Sequence, residues 1–415
     1  VEGFKVKGNV KTKDYVVTRE MKLKKGEPFN AKAARRSMQR VYNLGYFEDV
    51  NIKLNPGREP NGVEVEISVV EMNTGTFGIG AGYSNADGFV GMVSIGDKNF
   101  RGIGDKINLR WEFGGEDNKN YDFSYTRPWL DDKETSATIN LYDITNEYAD
   151  YNIDGDEIAR YDKKRRGQEI TFSRRTHNEF ISNYITIKNR DDIYKGEADG
   201  YEGDENQYYE DKFNQSSKYE SWMPKTAAER RKENFGVTRS ITFGRVYDSR
   251  DNIYDPHEGK RIGYSVEWAG GMGGDFDFTK WTADWRYYFR AGGESVWALN
   301  LGAGYASGDM PLSQRFTMGG SDTLRGYEDD QFRGNSMLKA TLEYRFPIVK
   351  KVQGVLFTDN GYAWDKRHED EFDMGLLKNS YGVGLRINSP LGPVKLDYGY
   401  GEDGGKFHFS FGGQF

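Results

Sequence analysis

Cysteine is missing from all 415 positions, which excludes disulfides and thiolate metal sites. Histidine occurs only as His177, His257, His368 and His408. None stands in a Ser or Asp arrangement suited to nucleophilic catalysis, so enzymatic activity is not expected. No apolar run approaches the ~20 residues that a membrane-spanning helix needs, and the mean hydropathy is -0.83. Positive charge is not in excess: 58 Lys and Arg stand against 65 Asp and Glu, a net charge of -7. That balance argues against duplex nucleic acid as a partner. The acidic stretch "DDIYKGEADGYEGDENQYYEDK" from Asp191 lacks EF-hand spacing. It reads as a solvated loop, and no metal or other cofactor is expected. A leader segment is also absent, since Val1 opens directly into strand-like sequence. A secreted protein would then be in mature or truncated form.

Aromatic residues and glycine are abundant instead. There are 28 Tyr, 25 Phe and 8 Trp, 15% of the chain, together with 51 Gly. A transmembrane barrel combines these values with low hydropathy, because only alternate residues of each strand face lipid. Aromatic girdles and glycine at strand bends complete that signature.

Residues 1–73 read as a small α/β domain of order β-α-α-β-β. Phe4, Val6 and Val10 suggest a first strand, with Gly8-Asn9 as a turn. A helix is expected from about Lys13 to Met21. A second runs from Asn30, a plausible N-cap, to Leu44, with Ala34, Met38, Val41 and Tyr42 on one face. Gly45 then stops it. "YFEDVNIKL" and "VEVEISVV" alternate with period 2, as half-buried strands do.

Residues 74–415 read as an antiparallel β-barrel of about 16 strands. "TGTFGIGAGYS" sets Phe77, Ile79, Ala81 and Tyr83 against Thr76, Gly78, Gly80 and Gly82. "MLKATLEYRF" sets Leu338, Ala340, Leu342, Tyr344 and Phe346 against Lys339, Thr341, Glu343 and Arg345. A soluble sandwich also alternates, but its apolar faces would have to meet over a chain that is 30% charged. Connection lengths favour the barrel. "FRGIGD", "RPWLDDK", "RTHNE", "FPIVKK" and "SPLGP" are compact, and longer polar stretches lie between them, above all 191–234. Short periplasmic turns and long outer loops are the outer-membrane pattern.

Several strings resemble the BamA/TamA superfamily of POTRA plus β-barrel proteins, closest to its BamA type. "KGN", "PFN" and "LGYFEDV" fall where a POTRA domain has them and cover nearly the whole of 1–73. The resemblance implies a periplasmic module that binds unfolded chains and accessory lipoproteins, partly by adding a strand at a sheet edge; the alternative is a module that only orients the barrel. Leu324, Arg325, Gly326 and Tyr327 stand where the family has its hydrophobic-Arg-Gly-aromatic tetrad. By resemblance, that tetrad lies on a loop (307–336) folded into the lumen between the eleventh and twelfth barrel strands. Phe357, Asp359 and Gly361 in "LFTDNGYAW" match the family's Phe-x-Asp-x-Gly pattern on the thirteenth. The resemblance implies that Arg325 docks against Asp359 and Phe357. A guanidinium suits that pairing, because it offers parallel donors to one carboxylate and stacks on an aromatic face. A plain loop brace is the alternative.

The C-terminal "GGKFHFSFGGQF" places Phe407, Phe409 and Phe411 in alternation and ends on Phe415. It resembles the β-signal of outer-membrane barrels, which a porin would carry too. The strand from Gly75 must close against the last strand. Gly75, Gly78, Gly80 and Gly82 weaken the first, and Gly412-Gly413 can end or kink the last. The function implied is an outer-membrane factor that folds and inserts β-barrel proteins through this seam, without nucleotide. Its partners would be unfolded barrel precursors, outer-membrane lipids and periplasmic or lipoprotein accessory factors. The alternatives are a TamA-like factor, a two-partner secretion transporter and a passive pore, with ordinary lumen-facing glycine as the bland reading of the seam. BamA-type chains carry more POTRA copies, so a single copy implies a piece of a longer chain.

Overall fold

Two helices packed on three strands open the chain. β1 (Gly3–Lys7), α1 (Asp14–Thr18), α2 (Ala31–Tyr42), β2 (Phe47–Pro56) and β3 (Val63–Glu71) follow in the expected order. The computed structural model describes residues 1–84, 88–114, 119–151, 157–197, 232, 235–253, 255–364, 374–389, 392–402 and 404–411. The chain falls into two units, residues 1–140 with 251–253, and 141–250 with 254–415.

In the first unit the strand order is β1-β3-β2, with β1 parallel and β2 antiparallel to β3. Alternation in β3 sends Val65, Ile67 and Val69 into a core that contains Val16, Val17, Val41, Tyr46 and Phe47. The Asn30 side chain accepts from the N–H groups of Lys32 and Ala33, which caps α2. Gly45 at φ 73° turns the chain beyond its end.

Three expectations fail here. Val10 lies outside β1 and its side chain is 94% exposed. Gly8 at φ 87° turns the chain under the Val69 carbonyl, where a Cβ would clash. The Glu71 carboxylate then accepts from the N–H groups of Val10, Lys11 and Thr12 at 2.6–2.8 Å, so those donors are not available to a strand. The first helix covers only Asp14–Thr18. Tyr42 faces solvent, and Ser37 and Arg40 occupy the buried side of α2 instead. Ser37 Oγ accepts from Lys22 N–H, and Arg40 bonds Glu20, so both polar groups have partners in the interior.

The same unit continues into β4 (Gly75–Ser84), β5 (Gly88–Phe100), β6 (Asp105–Gly114), β7 (Lys119–Arg127) and the start of β8 (Thr135–Tyr151). Lys11 Nζ reaches Asp97 at 2.8 Å, and Asn99 donates to Thr12 at 2.7 Å. Arg40 bridges Glu20 and Glu134, and Trp129 Nε1 donates to Glu20. The connection between β7 and β8 is thereby held to α2.

The second unit carries β9 (Glu157–Arg175), β10 (Ile181–Glu197), β11 (Gly236–Asp248), β12 (Gly259–Gly274), β13 (Phe278–Gly292) and β14 (Ser295–Gly308). Two short strands follow, β15 (Phe316–Met318) and β16 (Phe332–Gly334), paired with each other. Then come β17 (Ser336–Val349), β18 (Val352–Trp364), β19 (Lys378–Ser389), β20 (Gly392–Gly401) and β21 (Gly404–Phe411). Apart from β15 and β16, the strands from β4 to β21 form one sixteen-stranded sheet in chain order, so β4 and β21 are the ends of that order. The segment expected to leave the sheet at Asp191 stays in β10 as far as Glu197. Its remainder, 198–231 and 233–234, lies outside the described residues.

The faces of the sheet invert the soluble pattern. In the second unit Trp281, Phe289, Trp297, Tyr305, Leu356 and Phe407 are exposed. Asn300, Thr341, Glu343, Arg345, Asp359, Arg386 and Asp397 are at most 5% exposed. Water would penalise that arrangement, and lipid outside a polar lumen favours it. Among the described residues no helix is long and apolar enough to cross a membrane.

Candidate functional site

The segment between β14 and β17 turns back onto the polar face and is pinned there twice. Near its start, a 3-10 turn (Leu312–Gln314) meets β10, β11 and β13. Ser313 Oγ donates to Asp192 at 2.9 Å, Lys188 donates to the Gln314 side chain at 3.2 Å, and Lys280 donates to the Gln314 carbonyl at 2.7 Å.

Further along, Arg325 enters a cluster on β17 to β20. Its Nε and Nη2 donate to the two oxygens of Asp359 at 2.7 and 2.8 Å, and its backbone N–H donates to the same carboxylate at 3.1 Å. Nη1 donates to Glu343 at 2.7 Å. The guanidinium carbon lies 3.4 Å from the centroid of the Phe357 ring, so the cation also stacks. Register explains the convergence: Glu343 pairs with Phe357 across β17 and β18, and Thr341 pairs with Asp359. Arg345 donates to Glu343 at 2.8 Å, while Arg386 reaches Glu343 at 3.2 Å and Asp397 at 2.7 Å. Three guanidinium groups thus meet three carboxylates, all with side chains at most 4% exposed. The cluster is desolvated but balanced, the condition under which buried charge is tolerated. A cavity of about 370 Å³ adjoins it, walled also by Arg286, Asn300, Lys339 and Lys395.

The neighbours of Arg325 are fixed just as closely. Gly326 has φ 97°, and a Cβ there would come within 2.8 Å of Gly401 N. Leu324 and Tyr327 are fully buried, and Tyr327 Oη donates to the Asn379 carbonyl at 3.1 Å. A Cβ on Gly361 would run into Met318. The structure therefore gathers Leu324, Arg325, Gly326, Tyr327, Phe357, Asp359 and Gly361 around one loop.

The seam glycines are placed differently. Gly75, Gly78, Gly80 and Gly82 lie in β4, paired with Asp97, Ser94, Met92 and Val90 of β5. Phe407 and Phe409 of β21 are exposed, and Phe411 ends that strand. Gly412, Gly413 and Phe415 lie outside the described residues.

Sequence reasoning missed Glu343, Arg386, Asp397 and His408 as members of this site. Strand parity put Glu343 and Arg345 on one face, but no local pattern says that two further strands bring partners to them. The glycines of "DYGYG" were a signal. A Cβ at Gly399 would lie 2.7 Å from Gly326 N, and one at Gly401 would lie 2.7 Å from the Tyr327 ring.

These features define a class: a sixteen-stranded outer-membrane β-barrel with an inward loop fastened to its wall, behind a β-α-α-β-β domain. A family model described as the Omp85 superfamily domain matches residues 99–415, and a POTRA model, surface antigen variable number repeat, matches residues 1–72. The chain belongs to the Omp85 superfamily, and its POTRA domain is periplasmic. Among its relatives are the outer membrane protein assembly factor BamA of Nitratidesulfovibrio vulgaris and that of Neisseria meningitidis. The first is 30% identical over 98% of this chain and 50% of its own length; the second is 24% identical over 96% and 54%. Outer envelope protein 80 of Arabidopsis thaliana is 26% identical over 97% of this chain and 54% of its own. The chain thus spans about half the length of the curated relatives it matches. Among solved structures, BamA from Haemophilus ducreyi lacking POTRA domains 1–3 aligns over all of this chain and 84% of its own, at TM-score 0.59 and 21% identity. CdiB from Escherichia coli aligns over 98% of this chain and 75% of its own, at TM-score 0.64 and 12% identity. At such identities these two likenesses concern the fold alone.

Proposed function

We propose that this chain is an outer-membrane protein assembly factor that folds and inserts β-barrel precursors between the ends of its own sheet, β4 and β21. The observation that carries the reading is likeness along 98% of the chain to a relative named for that activity. The chemistry is backbone pairing. An incoming strand that adds to an exposed sheet edge gains hydrogen bonds which lipid cannot supply, so neither nucleotide nor cofactor is required.

The composition of β4 supports a weakly zipped edge. The nearest atoms to a Cβ at Gly75, Gly78 or Gly80 belong to Asn73 and to β5. Glycine at Gly75 and Gly80 is therefore not demanded by crowding, with nearest approaches of 3.5 and 3.1 Å, the latter to the flexible end of Met92. Its effect is to withhold side-chain packing from the strand. The inward loop and its cluster act as the brace that keeps the remaining strands in register. Unfolded barrel precursors and outer-membrane lipids are the partners. Accessory periplasmic or lipoprotein factors would add to β1 or β2, the edges of the small sheet.

The test uses Gly80→Cys with Ser410→Cys in the chain reconstituted in liposomes, scoring the folding of a client barrel. Crosslinking is expected to abolish folding, and reduction to restore it. Undiminished folding with the crosslink in place would remove the gate from the proposal. Steady ion conductance with no client folding would replace the assembly reading with a passive pore.

A further inference from the structure

We propose that His408 is a positioning residue that latches the last strand, β21, to the inward loop. The Gly326 N–H donates to His408 Nε2 at 3.1 Å. This contact depends on how closely the loop lies on β20. Gly399 and Gly401 form a trough without side chains; the backbone of Arg325 and Gly326 runs along it, and the Tyr327 ring lies over Gly401. The loop thus clears β20 and presents its amide to the next strand. Lys406, two residues before His408 and on the same face of β21, makes an ion pair with Glu328 of the loop. On β20, Lys395 pairs with Asp322 of the loop at 2.7 Å. The C-terminal end of the sheet is therefore tied from within as well as by its ladder to β20.

A histidine makes this tie conditional. Nε2 can accept only while it carries no proton, and imidazolium has donors at both nitrogens. Acidification removes the acceptor and sets a second N–H against the amide. The charged and polar groups facing His408 are Glu328, Asp329 and Arg325 of the loop, Asp397 on β20, and Lys406 and Ser410 on its own strand. Most carboxylates stay ionised between about pH 7.5 and 5, whereas a histidine titrates there. If the seam is the working edge, as proposed above, the latch sets how readily β21 leaves its resting place.

The experiment reads strand mobility and uses no client protein. A nitroxide is placed on β21 through Phe409→Cys in the whole chain in liposomes, and its spectrum is recorded at about pH 7.5 and pH 5, on either side of the ordinary histidine value. The label on the native His408 background is expected to shift from a restricted to a more mobile spectrum as the pH falls. His408→Gln keeps a carbonyl acceptor that does not titrate, and should give a restricted spectrum at both values. His408→Ala should be mobile at both. Identical pH responses in the native background and in the His408→Gln variant would assign the effect to Asp329 or another group and overturn the latch. So would a restricted spectrum in the alanine variant at the higher pH. Because no client is present, these outcomes leave the assembly reading standing, and loss of client folding with an intact latch would do the reverse.

Discussion

Arg325 addresses three carboxylates through one guanidinium: Asp359 with two donors, Glu343 with a third, and Asp397 at 3.6 Å. Removing one member of such a desolvated set leaves the others unbalanced, typically at about 3–5 kcal/mol. Arg325→Ala is expected to impair client folding far more than Arg333→Ala, as measured by the gel shift of a folded client barrel. Equal activity of the two would show that the cluster has no part in assembly. Arg325→Lys should fall close to the alanine variant, because an ammonium neither forms the paired donors nor stacks as a plane. Glu71 supports a second prediction at this scale. Burial pushes its carboxyl up, but the donors of Thr12, Lys11 and Val10 outweigh that and hold it below the ordinary carboxylate range. A depressed carboxylate stabilises the folded state above its unfolded value, about pH 4.3, and loses that contribution as the pH falls through the lower folded value. The Thr12 amide proton should therefore shift at a lower pH than an ordinary glutamate titrates, and Glu71→Gln should abolish the titration.

At the scale of the element, the loop between β14 and β17 depends on backbone that admits no side chain. Gly326→Ala meets both a positive φ and the Gly401 backbone. It is expected to lift the loop from β20 and make it sensitive to protease, with the barrel ladder unchanged by circular dichroism. A loop that stays protected would show that the trough tolerates a methyl group. This element also marks how much the sequence could tell. Alternation, turn lengths and the Asn30 cap were legible because they are local. The strings around Arg325 and Asp359 were legible because spacing within one segment carries them. Val10 was misread because the carboxylate that takes its N–H comes from Glu71, sixty-one residues away. Glu343, Arg386 and Asp397 meet only through the register of four strands. His408 alternates with phenylalanines, so parity set it opposite them, but nothing nearby in sequence names Gly326 as its donor.

For the whole molecule, the inversion of its two faces decides which solvent each side meets. Apolar side chains exposed outside and paired charge inside belong to a protein in which lipid and a polar lumen replace water and a hydrophobic core. The small N-terminal domain keeps the ordinary arrangement, with eleven buried apolar residues between its helices and sheet. One chain therefore satisfies two opposite burial rules. Hydropathy averaged over its length describes neither, which is why alternation rather than mean composition carried the reading.

The two fastenings of the inward loop also act as a length gauge. Gln314 is held on the β11 to β13 side, and Asp322 on β20. Eight residue steps separate them, a reach of no more than about 28 Å at full extension. Any widening between β13 and β20 must draw on that slack and then stop. Strain applied to that stretch of the wall is thereby shared between the ladder and the loop with its two anchors.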